Sequence, residues 1–484
     1  MIEERTRRLL DVRLAREQAE QRLPSVVAGL VRDGELIWSA GRGRLPAAGR
    51  ATAAGDDGRG GQPGRGGQPA SGAEAAGSQP DAGTQYRAGS ITKTFVAVAV
   101  LRLRDAGRLS LSDPVGDYLS AGAAGSMTIG QLLSHSAGLR AEAAGPWWER
   151  TPGSSLADLT ASSLGKDAAR FQPGRRHHYS NVGFGLLGAL IAMLHDRPWH
   201  DVIAAELLRP LGMSRTTTRP QPPFAPGFAV HPHADVLLAE PEHDAGAMAP
   251  AGQLWTTVDD LASWARFLAG DTGGLLAAAT LEEMREPIVI AEAPGQPWTA
   301  GYGLGLQLWN AGGVRYYGHT GSMPGFVALL QITDAPGGDT AIAAANSTAG
   351  FGWTLGSDLL AMLADCEPRC PAEWTPAEVS ADLFGLLGTW YWGPARYTLR
   401  LTADVLELSR EPAGAGSMRF RRDADGGWRG IDGYQAGEPL LPVRGPDGTA
   451  IALDVGSFCY TRTPYDPAAP VPGGVSSDGW RAAH

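Results

Sequence analysis

A serine three residues before a lysine, at the start of a long apolar run, constrains this chain more than any other feature. The pair is Ser90 and Lys93, and residues 94–103 are mainly apolar before the chain reaches Gly107. This length, and the glycine that follows, predict a buried helix with Ser90 in its first turn. Residues three apart share a helix face, so the lysine amine should lie beside the serine hydroxyl.

The pairing of Ser90 with Lys93 suits nucleophilic catalysis. A serine hydroxyl reacts poorly until a neighbour takes its proton, and an amine does so only when burial or nearby positive charge lowers its pKa. The helix N-terminus would add a backbone N–H for an oxyanion. The alternative is that Ser90 only caps the helix. Further motifs must decide between these interpretations.

Composition and charge exclude several classes of partner. The chain has 484 residues, 43% of them hydrophobic, which is enough for one large domain and a smaller one. Its net charge of -10 means that it has no overall excess of positive charge with which to bind nucleic acid or an anionic membrane, so neither is an expected partner. The most apolar uncharged run, residues 182–194, is too short to span a bilayer and predicts a core helix.

The N-terminus and the cysteines indicate a cytoplasmic protein. Residues 1–20 have mixed charge and lack the apolar segment and cleavage site of a secretory signal. Three cysteines in a chain of this size agree with a reducing compartment. No cofactor and no metal are expected, because a proline separates His231 from His233 in the one stretch with metal-ligand residue types. The expected partner is a small-molecule or peptide substrate, and the oligomeric state is left open.

The order of the predicted elements indicates an α+β domain followed by a small all-β barrel. A hairpin at 26–40 precedes several helices, and strand-like segments follow at 302–308, 314–317, 327–332 and 340–345. We therefore expect an antiparallel sheet, flanked by helices and assembled from both ends of the domain. The expected divisions are an N-terminal helix at 1–24, the main domain at 25–365 with a disordered glycine-rich insertion at about 47–83, a linker at 366–379, the barrel at 380–465 and a flexible tail at 466–484.

Two further motifs supply companions for Ser90. Tyr179 and Asn181 directly precede an apolar helix. A phenol near a lysine ammonium can ionise more easily and act as a base, and the asparagine amide can both donate and accept hydrogen bonds. Residues 317–322 form a glycine-rich segment between two predicted strands, and its glycines would let a substrate approach the backbone. Taken alone, either motif is also typical of an ordinary loop or strand connection.

Together these motifs resemble the serine β-lactamase and penicillin-binding-protein superfamily, in its class C-related branch of esterases and D-aminopeptidases. The resemblance covers about residues 25–365. The family's ordered motifs, Ser-x-x-Lys, Tyr-x-Asn and His-x-Gly, are matched by Ser90/Lys93, Tyr179/Asn181 and His319/Gly321.

The resemblance implies a β-lactamase/transpeptidase-like fold and an acyl-enzyme formed on Ser90. Lys93 and Tyr179 would share the proton transfers. Asn181 would position either the substrate amide or the lysine. The backbone N–H groups of Ser90 and Ser322 would hold the oxyanion.

His319 departs from the pattern of most β-lactamases in the family, which carry a lysine there to hold the substrate carboxylate. Histidine, with a reference pKa of about 6.5, is mostly neutral at pH 7. The sequence therefore disfavours efficient β-lactam hydrolysis. Members with histidine at this position resemble esterases, D-amino-acid peptidases and thioesterases that cyclise peptides.

Candidate substrate-binding residues lie in three places. Trp147 and Trp148 could form an apolar acyl pocket, and Thr320 and Gly321 would border the substrate. The C-terminal barrel resembles the lipocalin-like appendage of some relatives, and its Arg462 could bind a peptide carboxylate. Core packing of the tryptophans and a plain surface arginine are the alternative interpretations.

The preferred functional hypothesis is a serine hydrolase that acts through an acyl-enzyme on an amide or ester of a peptide-like substrate. A penicillin-binding-protein-type thioesterase or peptide cyclase is the alternative, and exclusion of water from the acyl-enzyme would separate the two. A β-lactamase and a non-catalytic binding or assembly protein that kept the fold are further alternatives.

Overall fold

The computed structural model describes residues 2–45, 77–335, 337–371, 373–376, 378–411, 416–423 and 425–464. It divides into two compact units, Met1–Arg369 and Cys370–His484. Positions 47–76 of the expected insertion and the expected tail at 466–484 lie outside the described residues. Residues 77–83, which the sequence assigns to the insertion, are packed: Leu45 N donates to Ser78 O at 2.9 Å. No helix in the described part of the chain is both long and apolar enough to cross a membrane.

The helices of the described residues are α1 Glu4–Glu20, α2 Thr92–Asp105, α3 Ile129–Leu133, α4 Leu156–Ser163, α5 Asn181–His195, α6 Trp199–Ile203, α7 Val258–Leu268, α8 Ala278–Met284, α9 Leu355–Cys366 and α10 Ala381–Phe384. The strands of the first unit are β1 Ser25–Arg32, β2 Glu35–Gly43, β3 Tyr86–Arg87, β4 Phe228–Val230, β5 Leu237–Ala239, β6 Trp255–Thr256, β7 Val289–Ile290, β8 Ala300–Tyr302, β9 Gln307–Ala311, β10 Val314–Met323, β11 Phe326–Thr333 and β12 Thr340–Ala345. Those of the second unit are β13 Gly388–Trp392, β14 Ala395–Thr402, β15 Val405–Arg410, β16 Ser417–Arg422, β17 Trp428–Gly430, β18 Pro439–Arg444, β19 Ala450–Val455 and β20 Phe458–Thr461.

The first unit is built on an antiparallel sheet with the strand order β2-β1-β12-β11-β10-β9-β8-β7. The N-terminal hairpin joins the C-terminal strands because β1 pairs with β12, with Val26 opposite Ala345. The turn of that hairpin has positive φ at Asp33 and Gly34, +52° and +77°, as a tight two-residue connection requires. The expectation of a sheet assembled from both ends of the domain is confirmed.

Helices cover both faces of this sheet. Because successive strand residues point to opposite sides, β1 contributes Val27 and Val31 to one apolar cluster and Val26, Ala28 and Leu30 to the other. The first cluster includes α2, α5 and α7, and the second includes α1 and α9. Helix α2 is buried on all sides from Thr92 to Leu101, which places the beginning of that helix deep in the unit.

Two strand predictions near the candidate site differ from the structure. Residues 302–308, expected as one strand, form the end of β8 and the start of β9, because Gly303 N donates to Leu306 O in a turn in which Gly305 has a φ of +77°. The strand expected at 314–317 continues to Met323. His319 therefore lies within β10 and not in a connection between strands.

The second unit is an eight-stranded antiparallel barrel, β13 to β20 in chain order, closed by the pairing of β13 with β20. Its interior is filled by large apolar side chains, including Trp390, Leu408, Phe420 and Leu453. The expected all-β barrel is confirmed, and its centre is a packed core.

Candidate active site

Ser90 lies in a 3₁₀ turn, Gly89–Ile91, immediately before α2. The sequence placed it in the first turn of the α-helix. The chain differs there because Gly89 has a φ of +54°, in the left-handed region that a right-handed helix excludes. A side chain at position 89 would also lie 2.5 Å from Ser322 N on β10. The turn therefore packs against β10 and leaves the Ser90 side chain partly exposed.

Lys93 is completely buried one turn further along and lies beside the serine. Its Nζ is 2.9 Å from Ser90 Oγ, 2.7 Å from Asn181 Oδ1 and 2.7 Å from Ala251 O. Burial lowers the pKa of Lys93 to about 7, although the carboxylate of Glu142 opposes this shift. A substantial fraction of Lys93 is therefore neutral near pH 7.

These three contacts orient the lone pair of the neutral Lys93 amine. A neutral amine has two N–H groups and one lone pair, and the carbonyl oxygens of Ala251 and Asn181 can only accept. Both N–H groups are thus used on carbonyl oxygens. The lone pair is left facing Ser90 Oγ, whose hydroxyl can donate to it. This geometry permits Lys93 to take the proton of Ser90.

The orientation of the Asn181 amide is set by Glu142. Asn181 is the first residue of α5, and its Nδ2 donates to Glu142 Oε1 at 2.8 Å. A carboxylate only accepts, so the amide nitrogen must face Glu142 and Oδ1 must face Lys93. Trp148 Nε1 donates to the other oxygen of Glu142 at 2.7 Å and holds the carboxylate in place. Asn181 therefore positions the lysine in this structure.

Tyr179 lies beside both catalytic candidates, but its pKa moves in the direction opposite to the one expected. Its ring centroid is 4.9 Å from Lys93 Nζ. Burial raises the pKa of Tyr179, and the hydrogen bond with Ser90 only partly offsets this. The expectation of a lowered pKa for this phenol is wrong, because loss of solvation dominates the shift. Tyr179 remains protonated and can serve as a hydrogen-bond donor.

The backbone amides of Ser90 and Ser322 lie close together because two glycines allow the serine turn and β10 to meet. A Cβ on Gly321 would be 1.9 Å from Ala88 O and 3.3 Å from Ser90 N. The sequence attributed this glycine to the approach of a substrate. The contact it permits is between the strand and the Ser90 turn, and it gathers the two N–H groups that the resemblance assigns to an oxyanion site.

His319 is fully buried and neutral. Burial, with a smaller contribution from Lys93, lowers its pKa to about 3, although the hydrogen bond with Thr320 acts in the opposite direction. Its Nδ1–H donates to Thr320 O at 2.5 Å, since a carbonyl can only accept, and Nε2 then accepts from the hydroxyl of Tyr302 at 2.9 Å. His319 thus offers no positive charge and no solvent-facing atom to a substrate carboxylate.

Three other predicted substrate-binding residues, Thr320, Trp147 and Trp148, make contacts within the protein. Thr320 donates to Gln307 Oε1 through both N and Oγ1, at 2.8 and 3.0 Å. Trp147 is 57% exposed, and the guanidinium of Arg150 lies over its ring at 4.5 Å. Trp148 is instead buried and hydrogen-bonded to Glu142, so the two tryptophans lie in different environments.

Arg462 is occupied within the barrel. Its guanidinium donates to the carbonyl oxygens of Gly385, Leu387 and Thr389 and lies 3.7 Å from the centre of the Trp390 ring. Burial lowers its pKa. These contacts give the arginine a structural role in its own unit.

Sequence reasoning missed two residues of the site, Glu142 and Tyr302. Glu142 lies in a loop, far in sequence from Asn181, and no local pattern marks it. Tyr302 reaches His319 across β9, so its role depends on the strand order and register. Among the described residues, no group of three or more His, Cys, Asp or Glu side chains is arranged to hold a metal ion.

Comparison with known proteins agrees with this geometry. The fold and the Ser90–Lys93 pair define a serine-hydrolase-like protein of the β-lactamase and penicillin-binding-protein class. Residues 10–365 match the family model described as beta-lactamase, and the chain belongs to this family. Residues 379–462 match a domain of unknown function, DUF7586.

Curated relatives are similar over part of their length. Penicillin-binding protein 4 of Amycolatopsis lactamdurans is 28% identical over 274 residues, which cover 52% of this chain and 69% of the relative. Protein flp of Staphylococcus aureus (strain MW2) is 25% identical over 44% of each chain, so less than half of that relative is matched.

Solved structures are similar over a larger share of this chain. The octameric penicillin-binding protein homologue from Pyrococcus abyssi has a TM-score of 0.61 at 19% identity and covers 94% of this chain and 99% of its own, which shows a shared fold. The D-stereospecific amidohydrolase from Streptomyces sp. has a TM-score of 0.55 at 26% identity and covers 75% of this chain and 98% of its own.

Proposed function

We propose that this protein is a serine hydrolase that cleaves an amide or ester bond of a peptide-like substrate through an acyl-enzyme on Ser90. One observation carries the proposal: the lone pair of Lys93 faces Ser90 Oγ at 2.9 Å, while the pKa of the lysine is lowered to about 7. A base whose pKa lies near the working pH is suited to activating a nucleophile.

The proposed reaction uses the contacts already described. Lys93 takes the Ser90 proton as Oγ attacks the substrate carbonyl, and the N–H groups of Ser90 and Ser322 stabilise the oxyanion. Tyr179, protonated and hydrogen-bonded to Ser90, donates to the leaving group as the carbonyl re-forms. The proton held by Lys93 then passes to the Tyr179 oxygen, so both groups regain their starting states. Water attacks the acyl-enzyme while neutral Lys93 takes its proton, and this proton goes to Ser90 Oγ as the acid is released.

The substrate class is supported by the relatives. The Streptomyces protein, 26% identical to this chain, is described as a D-stereospecific amidohydrolase. We therefore propose an amide bond next to a D-configured residue as the first substrate class to examine. Esters remain within the same chemistry because both proceed through the same acyl-enzyme.

The buried, neutral His319 argues against a β-lactamase that depends on a cation at this position. No contact in the described residues distinguishes hydrolysis from transfer of the acyl group to an internal amine, so the peptide cyclase stays the alternative. The presence of Ser90, Lys93 and Tyr179 in contact argues against a non-catalytic binding protein.

Intact-protein mass spectrometry tests the proposal. Wild-type protein is incubated with p-nitrophenyl acetate, D- and L-alanine p-nitroanilide, a peptidyl thioester and benzylpenicillin. We expect an acyl mass on wild type and none on Ser90→Ala. The matched control is Ser322→Ala, which keeps its backbone N–H and should still acylate. Acylation of Ser90→Ala would refute the proposal, and the released product, acid or ring, separates hydrolase from cyclase.

A further inference from the structure

A cavity of about 510 Å³ adjoins the candidate active site on the side of Asn181. It is lined by residues 140–143, Arg170, Phe171 and His178. Glu142 belongs to this lining and also accepts the hydrogen bond from Asn181 Nδ2, so the cavity wall is two hydrogen bonds away from Lys93. Asn181 and Glu142 thus connect the cavity wall to the Ser90–Lys93 pair.

The loop beside the cavity is strongly basic. Residues 168–178 contain Arg170, Arg175 and Arg176 and no acidic residue, in a chain whose net charge is -10. Arg140 adds a fourth guanidinium at the cavity wall, where it donates to the carbonyl oxygens of Glu142 and Ser163. Such a local excess of one charge in an acidic protein attracts anions.

These guanidinium groups are left without carboxylate partners. Within the described chain, no ion pair involves Arg140, Arg170 or Arg176, whereas the nearby Arg150 is paired with Glu240 at 2.6 Å. The single carboxylate in the cavity lining, Glu142, already accepts hydrogen bonds on both of its oxygens. With Arg140 and Arg170 against Glu142, the cavity lining carries one net positive charge.

The basic loop is held in place by backbone contacts. Arg170 N donates to Gly138 O and Gly174 N to Ser136 O, both at 2.8 Å, and His178 N donates to His135 O at 2.8 Å. The Arg176 guanidinium is fixed above the Phe171 ring at 4.5 Å. Burial lowers the pKa of His178, a residue of the cavity lining, and the charges of Arg170 and Arg176 act in the same direction. A pre-positioned guanidinium suits a carboxylate because less freedom is lost on binding.

We propose that this cavity binds a carboxylate of the substrate, with Arg170 of its lining and Arg176, which lies over the Phe171 ring, as charged partners and Phe171 as its apolar floor. The inference rests on the proposed function at Ser90. It makes the preferred substrate an anionic peptide-like molecule. It also assigns recognition of the negative charge to the 168–178 loop, since His319 is buried and uncharged.

Two pairs of esters that differ only in one charge test the inference. In the first pair, mono-p-nitrophenyl glutarate and its methyl ester, the charge is in the acyl group. In the second, 4-acetoxybenzoate and its methyl ester, it is in the leaving group. Wild type should prefer the anionic member of at least one pair by roughly tenfold in kcat/KM, the range of a partly exposed charged hydrogen bond.

The double variant Arg170→Gln/Arg176→Gln should lose this preference through a higher KM for the anionic ester, with the neutral esters unaffected. Arg175→Gln is the matched control, because Arg175 is an exposed arginine on the same loop that neither lines the cavity nor, unlike Arg176, lies over the Phe171 ring. Absence of any charge preference in wild type, or its survival in the double variant, would overturn the inference.

A binding experiment separates this inference from the proposed reaction. The Ser90→Ala protein is titrated calorimetrically with glutaric acid monoanilide and with its methyl ester. Tighter binding of the free acid, abolished by the double substitution and weakened by salt, supports the cavity even if no ester is hydrolysed. Equal affinity for the two compounds refutes it, whatever the outcome at Ser90.

Discussion

Glu142 accepts a hydrogen bond from Asn181 Nδ2 at 2.8 Å, and this bond determines which end of the amide faces Lys93. Replacing Glu142 with alanine leaves the amide free to turn, so an N–H can face the lysine and its lone pair loses its direction toward Ser90. Since a hydrogen bond to a charged group is worth about 1.5–3 kcal/mol, we expect Glu142→Ala to lower kcat/KM about tenfold or more, measured with p-nitrophenyl acetate.

The pH dependence of kcat/KM separates two effects of Glu142, the positioning of the Asn181 amide and the negative charge beside Lys93. The Glu142 carboxylate raises the pKa of Lys93, so its removal moves the acid side of the pH–rate profile to lower pH. Glu149 raises the lysine pKa too but accepts its hydrogen bond from Trp147. Glu149→Gln should therefore shift the profile in the same direction without the tenfold loss. An unchanged kcat/KM in Glu142→Ala would show that the bond does not position the amide.

The buried His319 should make the protein less stable in acid. Its pKa is about 3 in the folded protein and about 6.5 in the unfolded chain, so only the unfolded state binds this proton between those values. The free energy of unfolding falls as pH falls through this window, by up to about 1.4 kcal/mol per pH unit. Urea denaturation at pH 6.5 and 4.5 should show a loss larger by roughly 2 kcal/mol in wild type than in His319→Gln.

A control for this measurement is His233→Gln, at an exposed histidine far from β10 in sequence. It should keep the wild-type dependence on pH. If wild type and His319→Gln lose the same free energy between the two pH values, His319 is not held neutral in the folded protein.

Gly321 should tolerate no side chain. A Cβ there would lie 1.9 Å from Ala88 O, so Gly321→Ala must push β10 away from the Ser90 turn and separate the two N–H groups proposed for the oxyanion. Loss of one such donor costs about 10²-fold or more in kcat, and we expect a loss of that size. Gly165→Ala is the control, because no atom lies within 4 Å of its added Cβ. Wild-type kcat in Gly321→Ala would contradict the role of this contact.

Several features of the fold were predictable because they depend on short-range patterns. The Asp33-Gly34 turn and its alternating flanks specify the hairpin, and the apolar run after Asn181 specifies α5. The Ser90–Lys93 pair was predictable because three-residue spacing puts two side chains on one helical face. The order of the elements, a hairpin, then helices, then strands, also predicted a sheet assembled from both ends of the domain.

Other features depend on contacts that sequence spacing does not encode. The role of Glu142 comes from a loop that meets the beginning of α5, and that of Tyr302 from the register of three strands. The pKa of Tyr179 was predicted in the wrong direction because its proximity to Lys93 was recognisable while the burial of both groups was not. Burial is a property of the packed domain, and here it is the main cause of the raised pKa of Tyr179.

The most direct test of the central claim is the rate of Ser90 acylation by p-nitrophenyl acetate, measured in a single turnover from pH 5 to 9 for wild type and Lys93→Met. If neutral Lys93 is the base, the wild-type rate rises with an apparent pKa of about 7. Lys93→Met should be slower by about 10²-fold or more and lack this dependence. A wild-type rate that does not change across this range, or a Lys93→Met protein that acylates at the wild-type rate, would contradict the account.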